Sequence, residues 1–370
     1  MHLLQIYMKT LEEKAEKFNY NDLNERSREI LLGIIEGYFG TASPVGSKFI
    51  AESSKLNLSS ASIRNIMASL EEAGYIYQPH FSAGRIPTAK GYKFYVDSLM
   101  KTEQITLKEK EDIEIRLTSA NRDLNGILNQ VSILLSDLSH YAGVVLAPDM
   151  SEANLLHIEF IRIKEKNILA IIVFANGVTE NKSFYITKDI KQNELTRYSN
   201  KLNEIIEKKN CSLDGLKEII VEEMHSDKEN FYSILNMGIF SSISSIGNVS
   251  GYWDYEHYDN CLYVGPEGDL IEEPEFSNNE QIKFLIKTIS DKKNIIKLLG
   301  HTKNSKTKQI FIGSEEEWSE ISGLSLITAP YISEINMIRG SIGIIGPLRM
   351  NYSHVIPIID FVSEFLSGII

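Results

Sequence analysis

Between Pro44 and Asp97 the chain passes through three kinds of local order in an order that few folds accommodate. Pro44-Val45-Gly46-Ser47-Lys48 opens a short helix, Val45 to Ser54, with Val45, Phe49 and Ile50 facing inward. Ser59 or Ser60 then caps a longer helix, Ser60 to Glu72. Its Ile63, Ile66, Met67 and Leu70 fall at i, i+3, i+4 and i+7 on one face, and Gly74 suits the left-handed position past its end. A short strand, Tyr75 to Tyr77, leads into Pro79, Gly84 and Pro87, which bound a basic hairpin, and Ala89 to Met100 returns to helix. Upstream, Leu23, Ile30, Leu31, Ile34, Ile35 and Tyr38 make an amphipathic helix capped by Asn24 and ended by Gly40 to Pro44. Three helices followed by a hairpin predict a winged helix-turn-helix, hence a chain that holds DNA rather than one that catalyses a reaction.

The charge distribution permits that reading. The net charge is -12, yet residues 24–101 carry nine Lys and Arg against seven Asp and Glu, a net of +2. Residues 1–23 carry -1 and residues 102–370 carry -13. An acidic body suppresses non-specific adhesion to DNA and leaves one face competent.

The two inward-facing helices leave a defined set of polar groups outside. On the third helix these are Ser60, Ser62, Arg64, Asn65 and Ser69, where small Ser and Ala residues at the front allow close approach to base edges. Arg64 has the donors for guanine and Asn65 the paired donor and acceptor for adenine. Ser47 and Lys48 lie at the start of the second helix, suited to phosphate. His80, Ser82 and Arg85 surround Ala83-Gly84, where a positive φ is easily reached, with Arg85 at the hairpin tip and Lys90 and Lys93 continuing the basic edge.

The remaining chain is long enough for one or two more domains. Leu117, Ala120, Leu124, Ile127, Val131, Leu134, Leu138 and Tyr141 alternate in steps of three and four, as in a coiled coil or a long helix packed on its own domain. Residues 155–164 and 167–175 read as strands, and Asn176-Gly177 marks a hairpin before a further strand near 183–187. Helices rich in Glu, Lys and Asn fill 191–247, an aromatic and acidic stretch follows at 252–272, and a helix runs over 282–299. Strands resume near 309–312, 325–329 and 341–345 before a last helix, 354–366. Strands that stop and resume predict an α+β domain interrupted by an insertion.

Other chemistry finds little support. No apolar run reaches the roughly 18 to 20 residues of a membrane span, and Glu12, Glu13 and Glu16 argue against a signal peptide. Cys211 and Cys261 form no disulfide scaffold and suit a reducing cytoplasm. Neither they nor His257 and His301 have metal-ligand spacing, and His157 falls within an alternating strand. Gly340-Ser341-Ile342-Gly343-Ile344-Ile345-Gly346-Pro347 lacks the Lys-Ser/Thr of a phosphate loop, and Arg349 just beyond it is placed to anchor a domain interface. No catalytic residue, metal or cofactor is expected.

The segments L-N-E-R-S-R-E-I-L, P-V-G-S-K, S-S-A-S-I-R-N-I-M-A-S-L-E-E-A-G-Y-I and Q-P-H-F-S-A-G-R-I-P-T-A-K-G-Y-K-F-Y-V-D resemble the N-terminal signature of the heat-inducible transcription repressor HrcA family. T-A-P-Y at 328–331 and G-S-I-G-I-I-G-P-L-R-M-N-Y at 340–352 resemble its second signature, with Ile66 and Leu348 as departures. The resemblance implies an N-terminal extension (1–23), a winged-helix domain (24–104), a GAF-like α+β domain (105–190 and 276–370) and an inserted dimerisation domain (191–275). It further implies a cytoplasmic homodimer on a double-stranded inverted-repeat operator of the CIRCE type upstream of chaperone operons, kept active by the chaperonin GroEL.

Overall fold

The computed structural model describes residues 23–370 apart from 54–57, 120–123, 149, 151–152, 176, 224–233, 236–238, 240–260, 267, 272, 277–278, 306, 314–322 and 334–337. Helix α1, Glu25–Thr41, starts at Asn24, whose side chain accepts from the Ser27 N–H at 2.9 Å. It ends at Ala42, held at φ 48°, so the left-handed position falls beyond Gly40. Its Ile30, Leu31, Ile34 and Ile35 are buried against α3, Ser60–Glu72. Between them lies α2, Ser47–Ser53. Val45 and Ile50 are buried as expected, whereas Phe49 turns outward with 47% of its surface exposed. On α3 the buried residues are Ile63, Met67 and Leu70, and Ile66 is only half-buried, at the edge of the expected face.

Strands β1, Ile76–Tyr77, and β2, Ile86–Pro87, pair antiparallel as Ile76 with Pro87 and Tyr77 with Ile86. Thr88 then caps α4, Ala89–Phe94, by accepting from the Gly91 N–H at 3.1 Å, and a wider π-type turn, Tyr95–Leu99, completes this unit.

Helices α5, Leu107–Ser119, and α6, Leu124–Ser139, follow. The stripe that suggested a coiled coil is divided between them. Leu128, Val131, Leu134 and Leu135 are fully buried where α6 packs on β3, Ala142–Leu146, so among the described residues the packed-helix alternative holds.

Two further sheets are antiparallel. One has the order β7-β3-β10-β9-β8, with β7 Leu262–Val264, β8 Gln309–Ile312, β9 Leu324–Ser333 and β10 Ile338–Pro347. Helices α11, Lys292–Asn304, and α12, Tyr352–Ile369, pack on it with α6, after the shorter α9, Gly268–Ile271, and α10, Asn279–Ser290. The other sheet is the meander β4, Leu155–Lys164, β5, Asn167–Phe174, and β6, Thr179–Tyr185, turning at Gly177 with φ 85°.

The strands within 155–190, expected to group with 276–370, form a sheet of their own. Among the described residues its strands pair with one another rather than with the five-stranded sheet, and they lie against α7, Gln192–Lys209, which precedes α8, Leu213–Glu223. The edge of β4 is closed by side chains of α7. Asn203 accepts from the Ile158 N–H at 2.8 Å, Ser199 from Phe160 at 3.0 Å and Gln192 from Arg162 at 2.7 Å. Side chains thus do what a neighbouring strand would, and protect an edge that otherwise invites pairing. Much of the segment expected as the insertion, 224–260, lies outside the described residues.

Candidate nucleic-acid interface

The surface that α3 leaves outside begins at Ser59, whose hydroxyl accepts from the Ser62 N–H at 3.2 Å and lies 3.0 Å from the Ser62 hydroxyl. Ser60 is half-buried, and Ala61, Ser62, Arg64, Asn65, Ala68 and Ser69 are exposed. This face is therefore small except for one guanidinium and one amide. Ser47, expected on the surface, is buried at 7% exposure, and its hydroxyl accepts from Arg64 Nε at 3.2 Å. The bond ties the Arg64 guanidinium to the start of α2. Lys48 beside it is exposed.

Arg64 and Met67 form one wall of a cleft of about 490 Å³. Gly46 and Ser47 form another, and Gln78 with Ser82 to Arg85 form the third. The start of α2, the middle of α3 and the hairpin thus open onto the same space.

The hairpin departs from expectation in three ways. The left-handed residue is Ser82, at φ 69°, next to Ala83, whose N–H closes the turn onto the His80 carbonyl at 3.0 Å. Gly84 is needed for closeness instead: a Cβ there would sit 2.4 Å from the Val45 carbonyl carbon and 2.5 Å from its oxygen. Arg85 is not at the tip. Its guanidinium pairs with Glu71 at 2.8 Å, and its main chain exchanges two hydrogen bonds with Val45. The other Glu71 oxygen accepts from the Gln78 N–H at 3.0 Å, so one carboxylate joins the end of α3 to both arms of the hairpin.

Lys90 is also taken up internally. Its ammonium donates to the Ala73 carbonyl at 2.9 Å and lies 4.6 Å from the centre of the Tyr75 ring. A cation on the last carbonyls of a helix stabilises that end, and burial here pulls the Lys90 ammonium below the ordinary lysine range. Lys93 is half-buried, whereas His80 and Ser82 are exposed beside the cleft. Between them Phe81 is 98% exposed, a residue the sequence reading passed over.

A family profile described as the HrcA protein C terminal domain matches residues 125–356. The heat-inducible transcription repressor HrcA of Geobacter sulfurreducens is 37% identical over 349 residues, covering 94% of this chain and 98% of the relative. The protein of the same name from Syntrophobacter fumaroxidans is 35% identical, covering 95% and 98%. The chain belongs to the HrcA family of heat-inducible transcription repressors. A solved structure of a hypothetical protein, 22% identical and covering 95% of this chain and 98% of its own, has the same mixed α+β fold at a TM-score of 0.56.

The N-terminal unit meets the sheet body at a defined junction. Arg349 donates to the Phe39 carbonyl at 3.0 Å and pairs with Glu273. The Tyr92 and Tyr352 rings meet across the same junction in a tilted contact, centres 6.2 Å apart, and Gly313 at φ 70° lets the end of β8 approach Ala89. Ser353 accepts from the Glu103 N–H at 3.0 Å and donates to the Glu103 carboxylate at 2.8 Å. Arg349 thus occupies the interface position inferred from the sequence. Among the described residues no group of His, Cys, Asp and Glu is placed to hold a metal ion, and no helix is long and apolar enough to cross a membrane.

Proposed function

We propose that this chain is a winged-helix repressor of chaperone operons that binds a CIRCE-type inverted repeat as a homodimer, each protomer placing α3 in a major groove. The observation that carries the reading is the outward face of α3, where Arg64 and Asn65 stand among small residues, with Arg64 steadied by buried Ser47. A helix with such a face can approach base edges, and its arginine and asparagine read guanine and adenine. Ser60, Ser62, Lys48, His80, Ser82 and Lys93 are assigned to the sugar–phosphate backbone and hairpin contacts. Ser47, Arg85 and Lys90 support the interface from within.

The body is assigned as GAF-like for the five-stranded sheet with α6, α11 and α12, and as a dimerising insertion for β4 to α8 and the residues beyond. Leu156, Ile161, Ile163 and Tyr185 of the β4–β6 meander are exposed at 37–67%, which supports a contact with a second copy. In a dimer, two α3 helices separated by about 34–36 Å or a multiple of it would match the two halves of an inverted repeat. Activity in the cytoplasm is set by the chaperonin GroEL, which keeps the repressor folded until heat draws it to other clients.

Fluorescence anisotropy on a labelled CIRCE duplex tests the core of this reading. Arg64→Ala is expected to cost about 1–3 kcal/mol on the inverted repeat and far less on a scrambled duplex. Equal losses on both duplexes would remove Arg64 from base reading. Adding GroEL to repressor diluted from denaturant should raise the binding-competent fraction, and no increase would remove the chaperonin from the mechanism.

A further inference from the structure

The hairpin tip carries an aromatic side chain that the fold does not use. Phe81 is 98% exposed, while Ile76 at the base of the same hairpin is 1% exposed. Its neighbours His80 and Ser82 are polar and exposed, and the rest of the loop from Gln78 to Arg85 is polar, small or proline. Phe81 is therefore the one large apolar side chain of the Gln78–Arg85 loop, with Tyr77 on β1 half exposed nearby in sequence.

The loop beneath it is firmly braced. The Ala83 N–H closes the turn onto the His80 carbonyl at 3.0 Å, and Gln78 Nε2 donates to the Ala83 carbonyl at 2.9 Å. Glu71 holds Gln78 on one arm and Arg85 on the other, while Val45 and Arg85 exchange main-chain bonds at 2.8 and 2.9 Å. A braced projection loses little freedom when it meets a partner. Ser82, next to Phe81, lines the cleft whose opposite wall carries Arg64 of α3. With α3 in a major groove, the hairpin on the facing wall of this cleft would meet the adjacent backbone and groove.

We propose that Phe81 is an apolar wedge that enters the minor groove beside the α3-bound major groove and partly unstacks one base step in each half-site. Apolar side chains at such positions separate base steps and make the sequence of a flexible step count without any hydrogen bond. The proposal rests on the DNA-binding reading above. It also reassigns the hairpin contact from Arg85, which Glu71 holds, to a side chain without charge.

The test uses the full chain and CIRCE duplexes with 2-aminopurine placed in turn at the steps flanking each half-site. The wild type should brighten the probe at one step per half-site. Phe81→Ala should abolish that brightening and bind about ten- to hundredfold more weakly, and Phe81→Leu should retain most of both. The slope of log Kd against log salt should be the same for all three, because no phosphate contact is lost. Wild-type affinity for Phe81→Ala with unchanged probe signal overturns the wedge. So does a loss of binding accompanied by a weaker dimer in sedimentation equilibrium, which would make Phe81 a contact between copies. A wild type that fails to bind the duplex at all overturns the DNA-binding reading itself, an outcome distinct from either.

Discussion

The Arg349 guanidinium donates to the main-chain carbonyl of Phe39 at 3.0 Å, joining parts of the chain 310 positions apart. Phe39 lies in the last turn of α1, where carbonyls lack partners within the helix and a cation is favourable. The same guanidinium pairs with Glu273, with side-chain exposures of 13% and 20%. Replacing Arg349 by Ala leaves both the carboxylate and the carbonyl without it. Urea unfolding should show a loss of about 3 kcal/mol, with faster proteolysis in the connection around residues 100–106. A variant with the wild-type urea midpoint and cleavage rate would show that the junction does not depend on this bond.

Gly84→Ala tests the close approach of hairpin and helix–helix turn. The added Cβ would meet backbone atoms of Val45 at 2.4 and 2.5 Å and Pro44 at 2.6 Å. These atoms cannot retreat freely, because Val45 is bonded to Arg85 through both its N–H and its carbonyl. The expected loss is about 3 kcal/mol, at the upper end for an overpacked site. Gly46→Ala is the control, since nothing lies within 4 Å of a Cβ there. Equal thermal midpoints for the two variants would contradict the packing described.

The pattern of local residues made the first three helices legible, because caps and a 3.6-residue period are local signals. What escaped it depended on partners distant in sequence. Arg85 meets Glu71 from 14 positions away and Lys90 meets Ala73 from 17, so their charge pointed to phosphate when their bonds point inward. The strands 155–164 and 167–175 were readable as strands, but alternation does not say which sheet a strand joins. That choice is made partly by Gln192, Ser199 and Asn203 on the β4 edge, 30 to 45 positions away. Phe81 was passed over because a single aromatic in a turn has no period to announce it.

A capping box begins α5. Thr106 donates to Glu109 through its N–H at 2.8 Å and its hydroxyl at 2.6 Å, and the Glu109 N–H donates to the Thr106 hydroxyl at 3.2 Å. The hydroxyl bond is the main cause that holds the Glu109 carboxyl below the ordinary glutamate range. A carboxyl with a lowered folded pKa contributes stability above its unfolded pKa and loses it as pH falls through the folded value. Thr106→Ala should therefore destabilise by about 1 kcal/mol near neutral pH. The difference from wild type should shrink as pH falls below the glutamate range. Urea midpoints across that series would reject the assignment if the gap stayed constant.

Two lysines flank the interface with different expected roles, and salt dependence separates them. Lys48 is exposed at the start of α2 and is assigned to phosphate. Lys90 donates to the Ala73 carbonyl and covers the Tyr75 ring, so its charge is spent on the end of α3. Each phosphate contact releases condensed counterions, and losing one lowers the slope of log Kd against log salt by about 1 per protomer. Lys48→Met should weaken binding to the inverted repeat and to a scrambled duplex alike, with the shallower slope. Lys90→Met should leave the slope unchanged and lower the unfolding midpoint instead, because it removes a helix-end bond. A shallower slope for Lys90→Met at unchanged stability would return that residue to the DNA-facing edge.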